Sequence, residues 1–243
     1  AAGCKVVTAK TKQLSVNCEN ILKKINKKTK IIFIANPNNP TGSIIFKKEL
    51  IKFLDKVPPR IIVVLDGAYS EFIVDKDYSD GIDLVRKYKN LIVTRTFSKI
   101  FGLAGLRLGW GYSNEEIISL MERIRGPFNV NNIAQHIGSL ILKDDVFLKK
   151  SIEHNKKWQK YLPKKINEFG LKAKTSPTNF VLVEVDKKKY LKRKILNDLK
   201  KNKIIVRDMT GYNLQNFFRV SIGKDPHMKK FLKVLKSSLD TQS

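Results

Sequence analysis

Short runs of branched apolar residues recur along the first two thirds of this 243-residue chain, and they constrain its architecture more than any other feature. They fall at 5–9, 30–35, 60–66, 90–96 and 106–112, with KIIFIA and RIIVVLD the most apolar. Ile- and Val-rich runs this short read as strands, and their continuous apolar character reads as parallel strands buried on both faces. Between several of them lie segments of helical period, at 17–26, 47–56 and 81–88. That alternation is βαβ and predicts an α/β fold, a mostly parallel sheet sandwiched by helices. Ligands bind such sheets at the carboxyl ends of the strands, so the residues just after each run carry the functional reading.

Beyond Asn114 the pattern turns helical. Asn114 is suited to cap a helix over 115–125, a second follows over 132–142, and a long polar one spans 145–169. Strand and helix then alternate again, with strands at 179–185, 204–207 and 217–222 and helices at 187–202 and 226–239. This predicts a large domain over 1–144, then the long helix and a small α/β domain over 145–243.

Composition closes off several function classes. The apolar runs fall well short of the ~20 residues of a membrane span, and no leader-like n-region and h-region open the chain. Cys4 and Cys18 match no CxxC or metal-ligand spacing, and His136, His154 and His227 lie far apart. A reducing, cytoplasmic setting with no metal is expected. The net charge of +26 invites a nucleic-acid-binding reading. Nine of the 48 basic residues are Arg, however, and the remaining 39 Lys coat nearly every segment evenly, without the interleaved aromatics of a base-stacking platform. Solvated helix faces account for them, so neither nucleic acid nor membrane is expected as a partner.

Three strand ends stand out. The run IIFIA leads into NPNNPTG, in which two prolines fix φ and the closing Gly42 permits a sharp turn. Asn and Pro alone would be ordinary turn formers, but the seven-residue string is rare. IIVVLDGAYSEF places Asp66 at the end of a strand expected to be buried, where a carboxylate is either a turn cap or the partner of a cation. TFSKIFGLAGLRLGWGY sets Lys99 after a strand, beside hydroxyls and ahead of a small-residue loop. Thr96, Ser98 and Arg107 there suit an anion, since hydroxyls and a forked guanidinium match phosphate geometry.

Together these strings resemble the class I/II aminotransferases, which are pyridoxal-phosphate (PLP) enzymes of fold type I. The resemblance implies that Lys99 bonds PLP covalently and acts as the catalytic base, and that Asn39 and Tyr69 hold the phenolic oxygen of the cofactor. It implies that Asp66 keeps the pyridine nitrogen protonated, and that Thr96, Ser98 and Arg107 form the phosphate cup. In NFFRVSIG, Arg219 fits the arginine that grips the substrate α-carboxylate; by itself it would be a surface strand residue.

GPFNVNNIAQ and IIVRDMTGY resemble the histidinol-phosphate branch of that family, which implies Arg207 and Asn129 at the substrate phosphate. For residues 129–132 a turn and helix cap is the competing reading. The implied substrates are a small amino donor, histidinol phosphate, and a 2-oxo acid, 2-oxoglutarate. Aromatic aminotransferases and threonine-phosphate decarboxylases are the neighbouring alternatives. A PLP-fold protein that has lost catalysis is a third, opposed by the intact set Asn39, Asp66, Tyr69, Lys99, Arg107 and Arg219.

Members of the family are homodimers with shared active sites. They carry a further stretch before this start, roughly 100 residues by typical domain size, with an N-terminal arm, a phosphate-holding glycine turn and an aromatic stacked on the ring. The chain opens AAGCKVV rather than with Met. The expectation is therefore an incomplete large domain, weakly active or inactive by itself.

Overall fold

The structure, a computed structural model, describes residues 3–242, which divide into two compact units. One holds the residues to Asn39 and Ser43–Leu148; the other holds Pro40–Gly42 and the residues from Lys149 onward.

The first unit is built on a four-stranded sheet in the order β1 (Ile31–Ala35), β2 (Ile62–Asp66), β3 (Leu91–Thr96), β4 (Gly109–Tyr112). The first three strands are parallel, with Ala35 opposite Asp66 and Asp66 opposite Thr94. Helices α1 (Cys18–Leu22) and α2 (Lys47–Leu54) precede and follow β1, and α3 (Glu115–Ile124) and α4 (Asn132–Ile141) follow β4. The expected caps are present, with Asn114 Oδ1 accepting the Ile117 amide at 2.9 Å and Asn131 Oδ1 the Ala134 amide at 2.8 Å.

Several expectations are corrected. The run at 106–112 yields only the short β4, antiparallel to β3 rather than parallel. There Gly109 lies so near the Arg95 carbonyl that a Cβ would stand 2.7 Å from it, so the close pairing excludes a side chain. Residues 5–9 form no strand, since no neighbouring segment supplies a ladder; the 17–26 helix contracts to α1, and 81–88 to a 3-10 turn at Ile82–Leu84.

Burial on both faces also fails for β1 and β2. Ile32, Ile34, Val63, Leu65 and Val93 pack with Leu50, Phe53 and Leu54 of α2 into one core. Alternate residues point the other way, and Phe33 is 75% exposed. Because side chains alternate across a strand, Asp66 falls on the open side with Phe33's neighbours and is exposed, not buried.

The second unit takes most of the long α5 (Asp145–Glu168), which begins in the first. Its sheet is antiparallel, in the order β5 (Lys172–Ala173), β6 (Phe180–Glu184), β8 (Phe217–Ser221), β7 (Arg207–Asp208). Helices α6 (Lys192–Lys201) and α7 (Asp225–Asp240) complete it. Trp158, Leu162, Val181, Val183, Leu199, Phe218 and Phe231 are among the residues of its core. The expected 187–202 helix starts only at Lys192, because the Asp186 carbonyl turns the chain first by accepting the Lys189 and Tyr190 amides.

Candidate active site

Three loops leave the carboxyl ends of β1, β2 and β3, the end of a parallel sheet where ligands bind. In the first, the buried Asn36 turns its side chain back to Ile45, donating to its carbonyl at 3.0 Å and accepting its amide at 2.8 Å. The Asn36–Pro37 peptide is cis. The Asn38 amide reaches the Ser43 carbonyl at 2.8 Å and closes the loop that presents the exposed Asn39. Within NPNNPTG the first asparagine thus fixes the loop, and the predicted ligand residue rides on it.

In the second loop, Asp66 Oδ1 accepts the Ala68 amide at 3.0 Å, which orients its exposed carboxylate. The Gly67 amide donates to the Thr94 carbonyl at 3.0 Å, tying the loop to β3. Tyr69 is buried, with its ring centroid 5.4 Å from Lys99 Nζ, within the range of a cation–π contact.

The third loop holds Lys99 in a tight turn, where Gly102 donates to the Lys99 carbonyl and Leu103 to the Phe97 carbonyl, each at 3.0 Å. Thr96 Oγ1 accepts the Ser98 amide at 3.0 Å. Arg107 adopts a left-handed backbone at φ 55°, a conformation that costs a non-glycine residue about 1–2 kcal/mol. Its guanidinium donates to the Ala104 carbonyl at 2.8 Å and reaches Ser98 Oγ at 3.4 Å. A strained arginine folded back onto a serine beside the lysine makes a compact cationic and hydroxyl-lined cup.

The structure therefore gathers Asp66, Tyr69, Thr96, Ser98, Lys99 and Arg107 around adjacent strand ends of one unit. Arg207 and Arg219 lie in the other unit, directly opposite each other on β7 and β8. Arg219 stacks its guanidinium over the Phe180 ring at 4.6 Å. Asn129 lies on the exposed loop between α3 and α4, in a depression whose lining runs from Glu122 to Gln135 and includes neither Lys99 nor Asp66. Its neighbour Asn131 is the α4 cap, the role that the competing reading gives these asparagines.

Sequence reasoning passed over Arg95. It lies on β3, four residues before Lys99, with its side chain 4% exposed and beside Glu71 and Asp80. Its signal was a charged residue at the same strand parity as Leu91 and Val93, which face the core. Burial pushes the Glu71 carboxyl above its ordinary pKa, against the pull of Arg95. It pushes the Tyr78 hydroxyl up to about 12. Among the described residues no cluster of His, Cys, Asp and Glu could hold a metal ion, and no helix is long and apolar enough to cross a membrane.

Comparison with known proteins shows the family. The family model of aminotransferase class I and II matches residues 1–235. The histidinol-phosphate aminotransferase of Pelagibacter ubique is 41% identical over 236 residues, covering 97% of this chain and 66% of that protein. The Maricaulis maris enzyme of the same name is 39% identical, with 96% and 65% covered. The crystal structure of histidinol-phosphate aminotransferase from Sinorhizobium meliloti, in complex with pyridoxal-5'-phosphate, superimposes with a TM-score of 0.90 at 26% identity, covering 98% of this chain and 65% of that one. This chain thus spans about two thirds of the length of the relatives it matches.

Proposed function

The chain belongs to the class I and II aminotransferases, and from that premise we propose that it is the greater part of a histidinol-phosphate aminotransferase that uses PLP. The reaction would pass the amino group of histidinol phosphate to 2-oxoglutarate. One observation carries the reading: Lys99 stands over Tyr69 beside the Arg107–Ser98 pair, at the strand ends that also hold Asp66. The donor set fits the cofactor, with a primary amine for its aldehyde carbon, a carboxylate for its ring nitrogen, and a guanidinium with two hydroxyls for its phosphate. The relatives in Pelagibacter and Maricaulis support the choice of substrate.

When bound, PLP supplies an electron sink that stabilises the electron pair left at the donor's Cα. The chain's residues do the remainder. Lys99 Nζ would anchor the cofactor and, as a free amine, would take the proton from the donor's Cα and give it to the carbon that carried the cofactor's aldehyde. The Asp66 carboxylate, aimed by the Ala68 amide, holds positive charge at the ring nitrogen. Arg107, Ser98 and Thr96 would hold the phosphate. Asn39 and Tyr69 orient the phenolic oxygen. By the family resemblance, Arg219 is assigned to the substrate carboxylate, and Arg207 and Asn129 to the phosphate of histidinol phosphate. A cytoplasmic homodimer with shared sites belongs to the same proposal.

The test is a substrate panel run on the full-length protein with PLP, comparing histidinol phosphate, aromatic amino acids and threonine phosphate. Histidinol phosphate is expected to have the highest kcat/KM, by about tenfold or more, the worth of one well-made charged contact. A higher value for an aromatic donor would overturn the substrate. Retention of both visible cofactor absorbance and turnover in Lys99→Ala would overturn the enzyme class.

A further inference from the structure

Arg95 is a full charge buried beneath the site that takes no part in the chemistry proposed above. Removing a guanidinium from water costs several kcal/mol, and a buried ion pair seldom returns more than that in stability. Its contacts show what else it does. Nη1 donates to the Gly67 carbonyl at 3.0 Å, Nη2 meets Asp80 Oδ2 at 2.5 Å, and Nε lies 3.5 Å from Glu71 Oε1. A Cβ on Gly67 would stand 1.8 Å from Nη1, so the guanidinium packs against the backbone that immediately follows Asp66.

The same carbonyl accepts the Ser70 amide at 3.0 Å. Ser70 Oγ lies 2.7 Å from the Tyr78 hydroxyl, which donates to the Asn36 carbonyl at 2.8 Å. Asn36 opens the loop that carries Asn39. One continuous set of bonds therefore runs from β3, four residues before Lys99, through the loop of Asp66 and Tyr69, to the loop of Asn39. The Tyr78 hydroxyl, pushed up to about 12 by burial, is protonated and able to donate.

We propose that Arg95 and Tyr78 are positioning residues for the cofactor: a buried brace, held by Asp80 and Glu71, that sets the three strand-end loops relative to one another. Arg95 fixes the carboxylate of Asp66 against the strand of Lys99, and Tyr78 fixes the loop of Asn39 against both. The proposal rests on the PLP reading and adds residues that touch neither cofactor nor substrate.

The experiment uses the full-length protein and the variants Tyr78→Phe, Arg95→Lys and Lys99→Ala. It measures the PLP dissociation constant, the pH midpoint of the visible cofactor absorbance, and the melting temperature of the apoprotein. Tyr78→Phe keeps the ring and loses only the bonds from its hydroxyl. Arg95→Lys keeps the charge beside Asp80 and loses the fork onto Gly67. Each is expected to weaken PLP binding about tenfold, the usual scale for losing a bond behind a ligand-holding residue, and to move the pH midpoint. A lowered apoprotein melting temperature with unchanged PLP affinity and pH midpoint would show an ordinary core contact and overturn the brace alone. If the unsubstituted protein fails to bind PLP, or Lys99→Ala leaves its absorbance intact, the PLP reading falls and the brace falls with it.

Discussion

Arg207 and Arg219 are register partners across the antiparallel pair of β7 and β8, so their side chains leave the same face of the sheet. Two guanidiniums set opposite each other repel, and an anion bound between or beside them offsets that cost. Arg219 is partly covered and stacked on Phe180, whereas Arg207 is exposed. This difference suits a fixed carboxylate at the first and a more variable group at the second. Arg207→Met should raise KM for histidinol phosphate about 10–100-fold, the worth of a hydrogen bond to a charged group. It should leave KM for an amino donor without a phosphate unchanged, while Arg219→Met weakens both. Steady-state kinetics with the two donors decides this, and equal effects of the two variants would refute the division of roles.

Asp66→Asn isolates charge from shape. The amide oxygen can still accept the Ala68 N–H that orients Asp66, so the loop keeps its form. What goes is the negative charge proposed to face the ring nitrogen. kcat is expected to fall about 10²–10³-fold, the usual size of losing one preorganised electrostatic contact, with the apoprotein melting temperature little changed. A kcat within twofold of the parent would remove Asp66 from the mechanism.

Phe53, 1% exposed on α2, fills the core of the first unit beneath the sheet. Phe53→Ala should destabilise by about 3–5 kcal/mol through lost transfer energy and the cavity left behind. In a unit of this size each kcal/mol lowers the melting temperature by about 2–4 °C. Calorimetry of the full-length protein checks the shift. In the 243-residue chain by itself, Phe33→Ala on the open face is the control expected to cost far less.

Asp208, next to Arg207, responds to acid. Burial opposes its charge. Lys192 at 2.6 Å and the Thr210 amide and hydroxyl outweigh that and lower its pKa from 3.8 to about 2. A carboxylate depressed on folding contributes stability that is fully present above 3.8 and is lost as pH falls toward about 2. The side chain is 49% exposed, so solvent screening keeps the contribution small. Denaturant midpoints of the parent and Lys192→Met should differ by a constant amount at neutral pH and converge through that acid window. A difference that persists unchanged at the acid end would refute the pairing.

The site was legible because its chemistry is written in contiguous strings. NPNNPTG, LDGAY and TFSKIFGLAGLR each follow a strand, and a parallel sheet brings strand ends together without further information. Features that depend on distant partners were not legible. The direction of β4 is set by its pairing with β3, and a strand at 5–9 would need a neighbour that no local pattern supplies. Arg95 does not stand out in the sequence, because a charge in a strand reads as solvent-facing until its parity is compared with that of Leu91 and Val93. Asp66 was expected to be buried because continuous apolar runs imply two covered faces, whereas β1 and β2 bury alternate residues.

That open face should bear on how these 243 residues behave by themselves in solution. Ile31 and Phe33 are exposed on β1, an edge strand of the described sheet, and an apolar edge is a template for association with another copy. The net charge of +26 opposes this by mutual repulsion at long range. Added salt shortens that repulsion, to about 8 Å at physiological ionic strength, and leaves the apolar attraction in place. Colloidal stability of these 243 residues should therefore fall as salt rises, a trend that light scattering across a salt series would record. The lysine coat, which contributes nothing to the proposed chemistry, would be what keeps this chain dispersed.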